Sequence, residues 1–248
     1  MDHSLFTFIG EKIKLTVMFS PTKPQTLIIF DVDGTLLDAN SIDYGCFDRA
    51  FYEVTGVNLS ASMWLQFKEV TTQAIVHQAL GDTWPDIAST KIRVKEIFLE
   101  NLRTSLVGNP TAFCAIDGAV SLLSSLKTSP DFRVAIATGC WRETAHFKLK
   151  AAGFDLADIP FACASDCYAR AEIISLAASR AGIPVEQAIY VGDGIWDLRA
   201  TQKLGIPFIG VGRGTDALRQ AGAKFTLDLL NADALSQVVR QILRIGES

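Results

Sequence analysis

The sequence has few of the residues that build metal centres or disulfide frameworks. Its five cysteines are an odd number without any Cys-x-x-Cys pair, and its three histidines stand far apart at positions 3, 77 and 146. A structural zinc site and a disulfide scaffold are therefore disfavoured. Free cysteines scattered along a chain of this size predict a reduced, cytoplasmic setting.

The sequence also lacks an excess of positive charge and a long apolar run. The formal net charge of −4 disfavours nucleic acid as a partner. Glu11, Lys12 and Lys14 interrupt the apolar opening stretch well short of the ~20 residues that a membrane span requires. We therefore expect no membrane partner. The sequence assigns no particular structure to the N-terminal extension, residues 1–25: either the protein begins at Met18, or the segment packs as an extra strand or helix.

Short apolar runs recur at long intervals from residue 26 onward, and segments of helical periodicity separate them. Such an alternation predicts a parallel, doubly wound, Rossmann-like α/β sheet. The predicted strands cover residues 27–30, 134–137, 161–164, 189–192 and 208–211, and the helices between them cover residues 119–126, 143–152, 171–181 and 196–204.

Residues 40–115 depart from this rhythm. They contain helical stretches at 44–55, 63–80 and 87–106 but no convincing strand, which predicts an inserted α-helical cap domain. The catalytic core then comprises residues 26–39 and 116–248. We expect hinges between the two parts near residues 38–41 and 114–118.

Two aspartates follow the first predicted strand, in the run Asp31-Val32-Asp33-Gly34-Thr35. The two-residue period of a strand directs Asp31 and Asp33 to the same side. Close carboxylates repel one another unless a proton or a cation neutralises them, and a hard cation such as Mg²⁺ suits oxygen ligands. A carboxylate can attack phosphorus, and a neighbouring acid can protonate the leaving oxygen.

Two further predicted strands end in polar residues at the same edge of the sheet. One runs into Thr138-Gly139, which offers a hydroxyl and backbone amides for a phosphate. Another runs into Asp193-Gly194-Ile195-Trp196-Asp197 and brings more carboxylates to that edge. The sequence therefore predicts one acidic, phosphate-binding crevice.

The ordered set DVDGT, Thr138, Arg170 and GDGIWD resembles the four motifs of the haloacid dehalogenase superfamily, in its phosphoglycolate phosphatase and β-phosphoglucomutase-like subgroup with a helical cap. This resemblance covers residues 26–215. It implies that Asp31 is the nucleophile, Asp33 the general acid and base, and Thr138 a hydrogen-bond donor to the transferred phosphoryl group.

The resemblance also implies a Mg²⁺ site formed by Asp31, Asp33, Asp193 and Asp197. Asp33 is expected to bind through its backbone carbonyl, and Asp197 to orient the site or the basic residue. Relatives that cleave carbon–halogen bonds lack the second aspartate and need no metal, so Asp33 favours phosphoryl chemistry.

The basic residue of the third motif is usually lysine in this superfamily, whereas Arg170 stands there in this sequence. Arginine can still neutralise Asp31 and bind a phosphate oxygen, although its planar fork approaches differently. Lys148 and Lys150 compete for the role, but such charges usually belong to a solvated helix face. Gly34, Gly139, Trp141 and Arg142 are further candidates for phosphate or substrate contact.

Three functions are compatible with these residues. The first is Mg²⁺-dependent hydrolysis of a small-molecule phosphate monoester. The second is a phosphomutase of the β-phosphoglucomutase type, which passes the phosphoryl group to a sugar phosphate instead of water. The third is a non-catalytic binding protein that keeps the fold. The sequence does not determine the oligomeric state, and we favour a monomer.

Overall fold

The computed structural model describes residues 26–246, so the predictions for residues 1–25 lie outside the described residues. The strands are β1 Thr26–Phe30, β2 Leu37–Asp38, β3 Cys114–Ala115, β4 Phe132–Thr138, β5 Phe161–Cys163, β6 Ala188–Gly192, β7 Phe208–Gly210 and β8 Phe225–Thr226. The helices are α1 Asn40–Thr55, α2 Ala61–Gln66, α3 Thr72–Leu80, α4 Ile87–Gly108, α5 Ala119–Thr128, α6 Arg142–Ala151, α7 Arg170–Ala181, α8 Ile195–Leu204, α9 Thr215–Gln220 and α10 Ala232–Gly246, with a 3₁₀ turn at Val185–Gln187.

Six parallel strands form one sheet in the order β5-β4-β1-β6-β7-β8. The chain adds strands on one side of β1, then crosses over and adds the rest on the other side. This reversal at β1 opens a crevice at the carboxyl ends of the central strands. The predicted doubly wound α/β fold is confirmed.

Two apolar layers cover the sheet, because alternate residues of each strand face opposite sides. Leu27 and Ile29 pack with the buried faces of α7 and α8, whereas Ile28 and Phe30 pack with α5, α6 and α10. The near-continuous apolar composition of β1 follows from this burial on both faces. A rigid central strand therefore carries Asp31, whose backbone N–H donates to the Val191 carbonyl at 2.9 Å.

Helices α1 to α4 form an insert between the short strands β2 and β3, which pair antiparallel. The insert has its own aromatic core, in which Phe47 contacts Phe98 edge to face with ring centroids 5.5 Å apart. The β2–β3 ribbon brings together the two points at which the chain leaves and re-enters the sheet domain. Both points fall within the segments predicted as hinges, and hinge motion stays a prediction.

The predicted helix at residues 63–80 is wrong in one respect, because two helices, α2 and α3, occupy this stretch and the loop Phe67–Thr71 separates them. Gln78 Oε1 accepts the backbone N–H groups of Lys68 and Glu69 at 2.8 and 3.4 Å. The Thr71 hydroxyl caps α3 by accepting from the Ala74 N–H. These side chains satisfy the backbone groups that the interrupted helix leaves unpaired.

No helix within residues 26–246 is long and apolar enough to cross a membrane. All five cysteines lie in the described part of the chain, and all are free thiols.

Candidate active site

A small cavity at the carboxyl ends of the central strands contains five of the predicted site residues: Asp31, Asp33, Thr138, Gly139 and Arg170. Asp31 follows β1, Thr138 ends β4 and Arg170 begins α7, and all three are buried. The cavity has a volume of about 70 Å³. Its walls come from both the core and the insert: Asp31, Asp33, Asp43, Tyr44, Phe47, Trp64, Val70, Thr72, Ile75, Thr138, Gly139, Cys140, Arg170 and Trp196.

Arg170 lies between two carboxylates. Its Nη1 is 3.3 Å from Asp31 Oδ1 and 2.9 Å from Asp197 Oδ1. Its Nε has no acceptor among the residues that the structure describes. The sequence is thus right to bring Arg170 to Asp31, and the guanidinium is the only positive charge among the described residues that line the cavity.

Asp31, Asp193 and Asp197 form an acidic cluster in which one oxygen of each carboxylate lies within 4.8 Å of the others. Burial raises the pKa of Asp31 well above its ordinary value, and the nearby Asp197 charge raises it further, while Arg170 lowers it. One guanidinium cannot balance three carboxylates. A hard divalent cation with oxygen ligands fits this donor set.

Asp197 is fully buried and held by several donors. Its Oδ1 accepts from Arg170 and from the Tyr190 hydroxyl at 3.3 Å, and its Oδ2 accepts from the Gly194 N–H at 3.0 Å. The sequence predicts Tyr190 only as a residue of a buried strand and does not identify it as a site residue. This bonding suits Asp197 to orienting Arg170.

The carboxylate of Asp33 lies outside that acidic cluster. Its Oδ1 accepts from Lys148 Nζ at 2.6 Å, and its Oδ2 accepts from Cys140 Sγ at 3.1 Å. Lys148 also forms an ion pair with Asp43 of α1. Side chains of the core and of the insert therefore surround the Asp33 carboxylate, away from the three carboxylates that could bind a cation.

The prediction that Lys148 belongs to a solvated helix face is wrong, because its side chain is completely buried. The position of Lys148 within α6 indicates that its side chain is buried. Lys148 follows Ala145 by three residues and precedes Leu149, and both of these pack into the core. A lysine on the buried stripe of an amphipathic helix requires an acidic partner, here Asp33 and Asp43.

The loop Phe67–Thr71 of the insert contacts the start of α7. The Val70 carbonyl accepts from Arg170 Nη2 at 2.9 Å, and Glu69 Oε2 accepts from the Arg170 backbone N–H at 3.1 Å. The sequence does not predict these contacts, because its pattern predicts that the segment is part of a continuous helix. The insert thus binds the same arginine that contacts Asp31.

Thr138 and Gly139 lie where the sequence predicts, at the wall of the cavity. The Thr138 hydroxyl accepts from the Cys140 N–H at 3.2 Å, and a hydroxyl oxygen that accepts can still donate its own proton. A methyl group at Gly139 would lie 2.3 Å from Arg170 Nη2. Only glycine allows the arginine to approach this closely.

Three predicted contact residues lie outside the cavity. The Gly34 N–H donates to the Leu37 carbonyl at 2.8 Å, within its own turn. Trp141 is buried against Phe47 and Phe98 of the insert. Arg142 forms an ion pair of 2.6 Å with Asp166. Gly34 lies in a turn, and Trp141 and Arg142 lie at the start of α6, where each contacts residues outside the cavity. Their contacts with a substrate stay predictions.

Comparisons with known proteins bear on the fold and the family. A search of curated proteins finds no match. A hydrolase from Pseudomonas syringae shares 24% identity, with a TM-score of 0.68 over 88% of this chain and 99% of that one. CbbY from Rhodobacter sphaeroides, in complex with phosphate, shares 22% identity, with a TM-score of 0.64 over 83% and 94% of the chains.

A β-phosphoglucomutase from Clostridium difficile shares 16% identity, with a TM-score of 0.70 over 89% of this chain and 99% of that one. At these identities the three structures show a common fold. The family model described as haloacid dehalogenase-like hydrolase matches residues 28–211, a range that runs from β1 to the end of β7 and includes every motif of the cavity. The chain therefore belongs to the haloacid dehalogenase-like hydrolase family, as its four motifs predict.

Proposed function

We propose that this protein hydrolyses a small-molecule phosphate monoester in a Mg²⁺-dependent reaction through an aspartyl-phosphate on Asp31. One observation carries the proposal: Asp31, Asp33, Thr138 and Arg170 line a single cavity. They supply a nucleophile, an acid, a hydroxyl donor and a cation within reach of one phosphoryl group.

The reaction proceeds in two displacements. A carboxylate oxygen of Asp31 attacks phosphorus, and the bond to the ester oxygen breaks while Asp33, which enters this step in its protonated form, donates its proton to that oxygen. Asp33 then removes a proton from a water molecule, which attacks the phosphorus of the aspartyl-phosphate. This second step releases inorganic phosphate and restores both carboxyl groups.

Arg170 and Thr138 stabilise the charge that moves during these displacements. The Arg170 guanidinium lies 3.3 Å from Asp31 Oδ1, where it neutralises the nucleophile and can bind a phosphoryl oxygen through a free N–H. The Thr138 hydroxyl can donate to another phosphoryl oxygen. Thr138 is the last residue of β4, and the sheet holds its backbone in place. It therefore needs no rearrangement to act as a donor.

Magnesium would be held by the carboxylates of Asp31 and Asp193 and by the backbone carbonyl of Asp33, with Asp197 orienting Arg170 beside them. The cation would supply positive charge to the phosphoryl oxygens and to the acidic cluster.

The charge of the cavity favours hydrolysis over the mutase alternative. A mutase must also hold a second phosphate of a bisphosphorylated sugar. Arg170 is the only cationic residue among the described lining residues, and Asp31 and Asp197 already engage it. The aromatic rings of Tyr44, Trp64 and Trp196 would face the organic half of the substrate, which suits an uncharged group better.

The volume of about 70 Å³ is small beside the ~300 Å³ of a minimal ligand pocket. We therefore propose that the cap, residues 40–115, moves relative to the core, residues 26–39 and 116–248, to admit the ester. The hinges lie near 38–41 and 114–118. We also propose that the protein is a monomer and that it lies in the cytoplasm, where its free thiols would stay reduced.

The test is phosphate release from a panel of phosphate monoesters, with magnesium and with a chelator. Asp31→Asn should lower the rate about 10⁴-fold, because an amide is a poor nucleophile. Asp155→Asn is the matched control, since Asp155 lies on the surface with its side chain 75% exposed, and it should leave the rate unchanged. Normal release by Asp31→Asn would overturn the proposal, as would equal release with and without magnesium.

A further inference from the structure

The buried ammonium group of Lys148 contacts both Asp33, which follows β1, and the insert. Its Nζ lies 2.6 Å from Asp33 Oδ1, and it also forms an ion pair with Asp43 of α1 and lies 3.5 Å from Cys140 Sγ. The side chain of Lys148 has no exposed surface, whereas each of its two acidic partners is 16% exposed. Asp33 and Asp43 line the cavity, whereas Lys148 does not.

Burial of an unpaired ammonium group is costly, so the two carboxylates explain how the core tolerates Lys148. Lys148 is therefore a charged and fixed donor. Its position on the rigid helix α6 gives it a constant direction relative to the sheet.

Both carboxylate oxygens of Asp33 have a donor on the core side, Lys148 at Oδ1 and Cys140 at Oδ2. Without the ammonium, the carboxylates of Asp33 and Asp43 would face each other without a positive charge between them. Their repulsion would turn Asp33 away from its present direction. The orientation of Asp33 therefore depends on Lys148.

We propose that Lys148 is a positioning residue that directs the Asp33 carboxylate at the leaving-group oxygen, and that Asp43 makes this alignment depend on contact between the insert and the core. The inference rests on the proposed function, since it assigns Asp33 the role of general acid. It adds that the cap helix α1 takes part in aligning the acid, through an ion pair with a lysine that does not touch the substrate.

The test compares two esters that differ in their need for an acid. The alkoxide of benzyl phosphate requires a proton to leave, whereas p-nitrophenolate leaves readily without one, and both esters carry a single ring. The parameter kcat/KM reports the steps up to and including the transfer of the phosphoryl group to Asp31. Loss of general acid catalysis should therefore lower kcat/KM for benzyl phosphate and largely spare p-nitrophenyl phosphate.

Lys148→Met should lower kcat/KM for benzyl phosphate about 10²-fold and that for p-nitrophenyl phosphate less than about tenfold. Asp43→Asn keeps the bond between Lys148 and Asp33 and weakens the contact to the insert, because it removes the negative charge that pairs with Lys148. It should lower kcat/KM for benzyl phosphate about fivefold, within the ordinary effect of one misaligned acid, and leave the other ester unchanged. Asp48→Asn, an exposed position on the same helix, is the matched control and should change neither ester.

Asp43→Asn keeps the inference testable if Lys148→Met fails to fold. Equal losses for both esters in Asp43→Asn would indicate a merely structural contact and overturn the inference alone, as would no loss for either ester. No phosphate release from either ester by the unsubstituted protein would instead overturn the proposed function together with the inference.

Discussion

Replacement of Arg170 by methionine should destabilise the fold, because it leaves buried carboxylates without their positive partner. The side chain of Arg170 is 7% exposed and that of Asp197 is fully buried. Removal of one member of a buried ion pair costs about 3 to 5 kcal/mol. The pKa of Asp31 is raised, so this group can take up a proton in the variant and relieve part of the repulsion. We therefore expect a loss of about 3 kcal/mol, the lower end of that range.

Urea unfolding at pH 7 in the presence of a chelator measures this loss, since a bound cation would neutralise the same carboxylates. Arg103→Met removes an ion pair with Glu100 whose side chains are 56% and 68% exposed, and it should cost less than about 0.5 kcal/mol. Addition of Asp197→Asn to Arg170→Met should restore about 1 kcal/mol or more of the free energy of unfolding, because it removes the negative charge that Arg170→Met leaves unpaired. A loss below about 1 kcal/mol for Arg170→Met would refute the reasoning.

Two further predictions concern the cavity wall and the outer edge of the sheet. Gly139→Ala places a methyl group 2.3 Å from Arg170 Nη2 and 2.9 Å from the Val70 carbonyl, so it should lower the free energy of unfolding by about 1 to 3 kcal/mol and slow phosphate release. Gly45→Ala is the control, because its methyl group meets nothing within 4 Å, and it should be neutral or stabilising in the same urea assay. Equal stabilities of the two variants would contradict the close packing at Gly139. Hydrogen bonds from Arg180, followed by contacts with Cys163 and Arg142, hold the pKa of Asp166 well below its ordinary value. A depressed pKa stabilises the fold above the unfolded pKa of about 3.9 and loses its effect as pH falls through the lower, folded value. Asp166→Asn should therefore cost about 1 kcal/mol at pH 7, given the screening of a partly exposed group, and the cost should shrink below pH ~4 in urea titrations; a cost that stays the same down to the lowest measurable pH would contradict this assignment.

The sequence is sufficient to predict the sheet and the position of the reacting centre, because both follow from local patterns. Apolar runs mark the buried strands, and polar residues at their ends lie at one edge by the geometry of a parallel sheet. Asp31, Thr138 and Arg170 are found at the same cavity for this reason. Their chemical roles and the Mg²⁺ remain predictions.

The contacts that cross between core and insert could not be predicted from local patterns. Glu69 and Val70 lie about 100 residues from Arg170 in sequence, and the break between α2 and α3 depends on the amide of Gln78. Lys148 is the exception, since its place on the buried stripe of α6 is visible in the sequence. A charged residue on such a stripe indicates a buried partner of opposite charge instead of a solvated helix face.

The most direct test of the central claim is to trap the phosphorylated protein. The protein is mixed with magnesium and an intact ester that it hydrolyses, quenched in acid within the first turnover, and digested for mass spectrometry. A mechanism with an aspartyl-phosphate on Asp31 predicts one phosphoryl group on the peptide that contains Asp31, and none on that peptide in Asp31→Asn. A phosphoryl group on any other residue, or steady phosphate release without a phosphorylated protein, would contradict it.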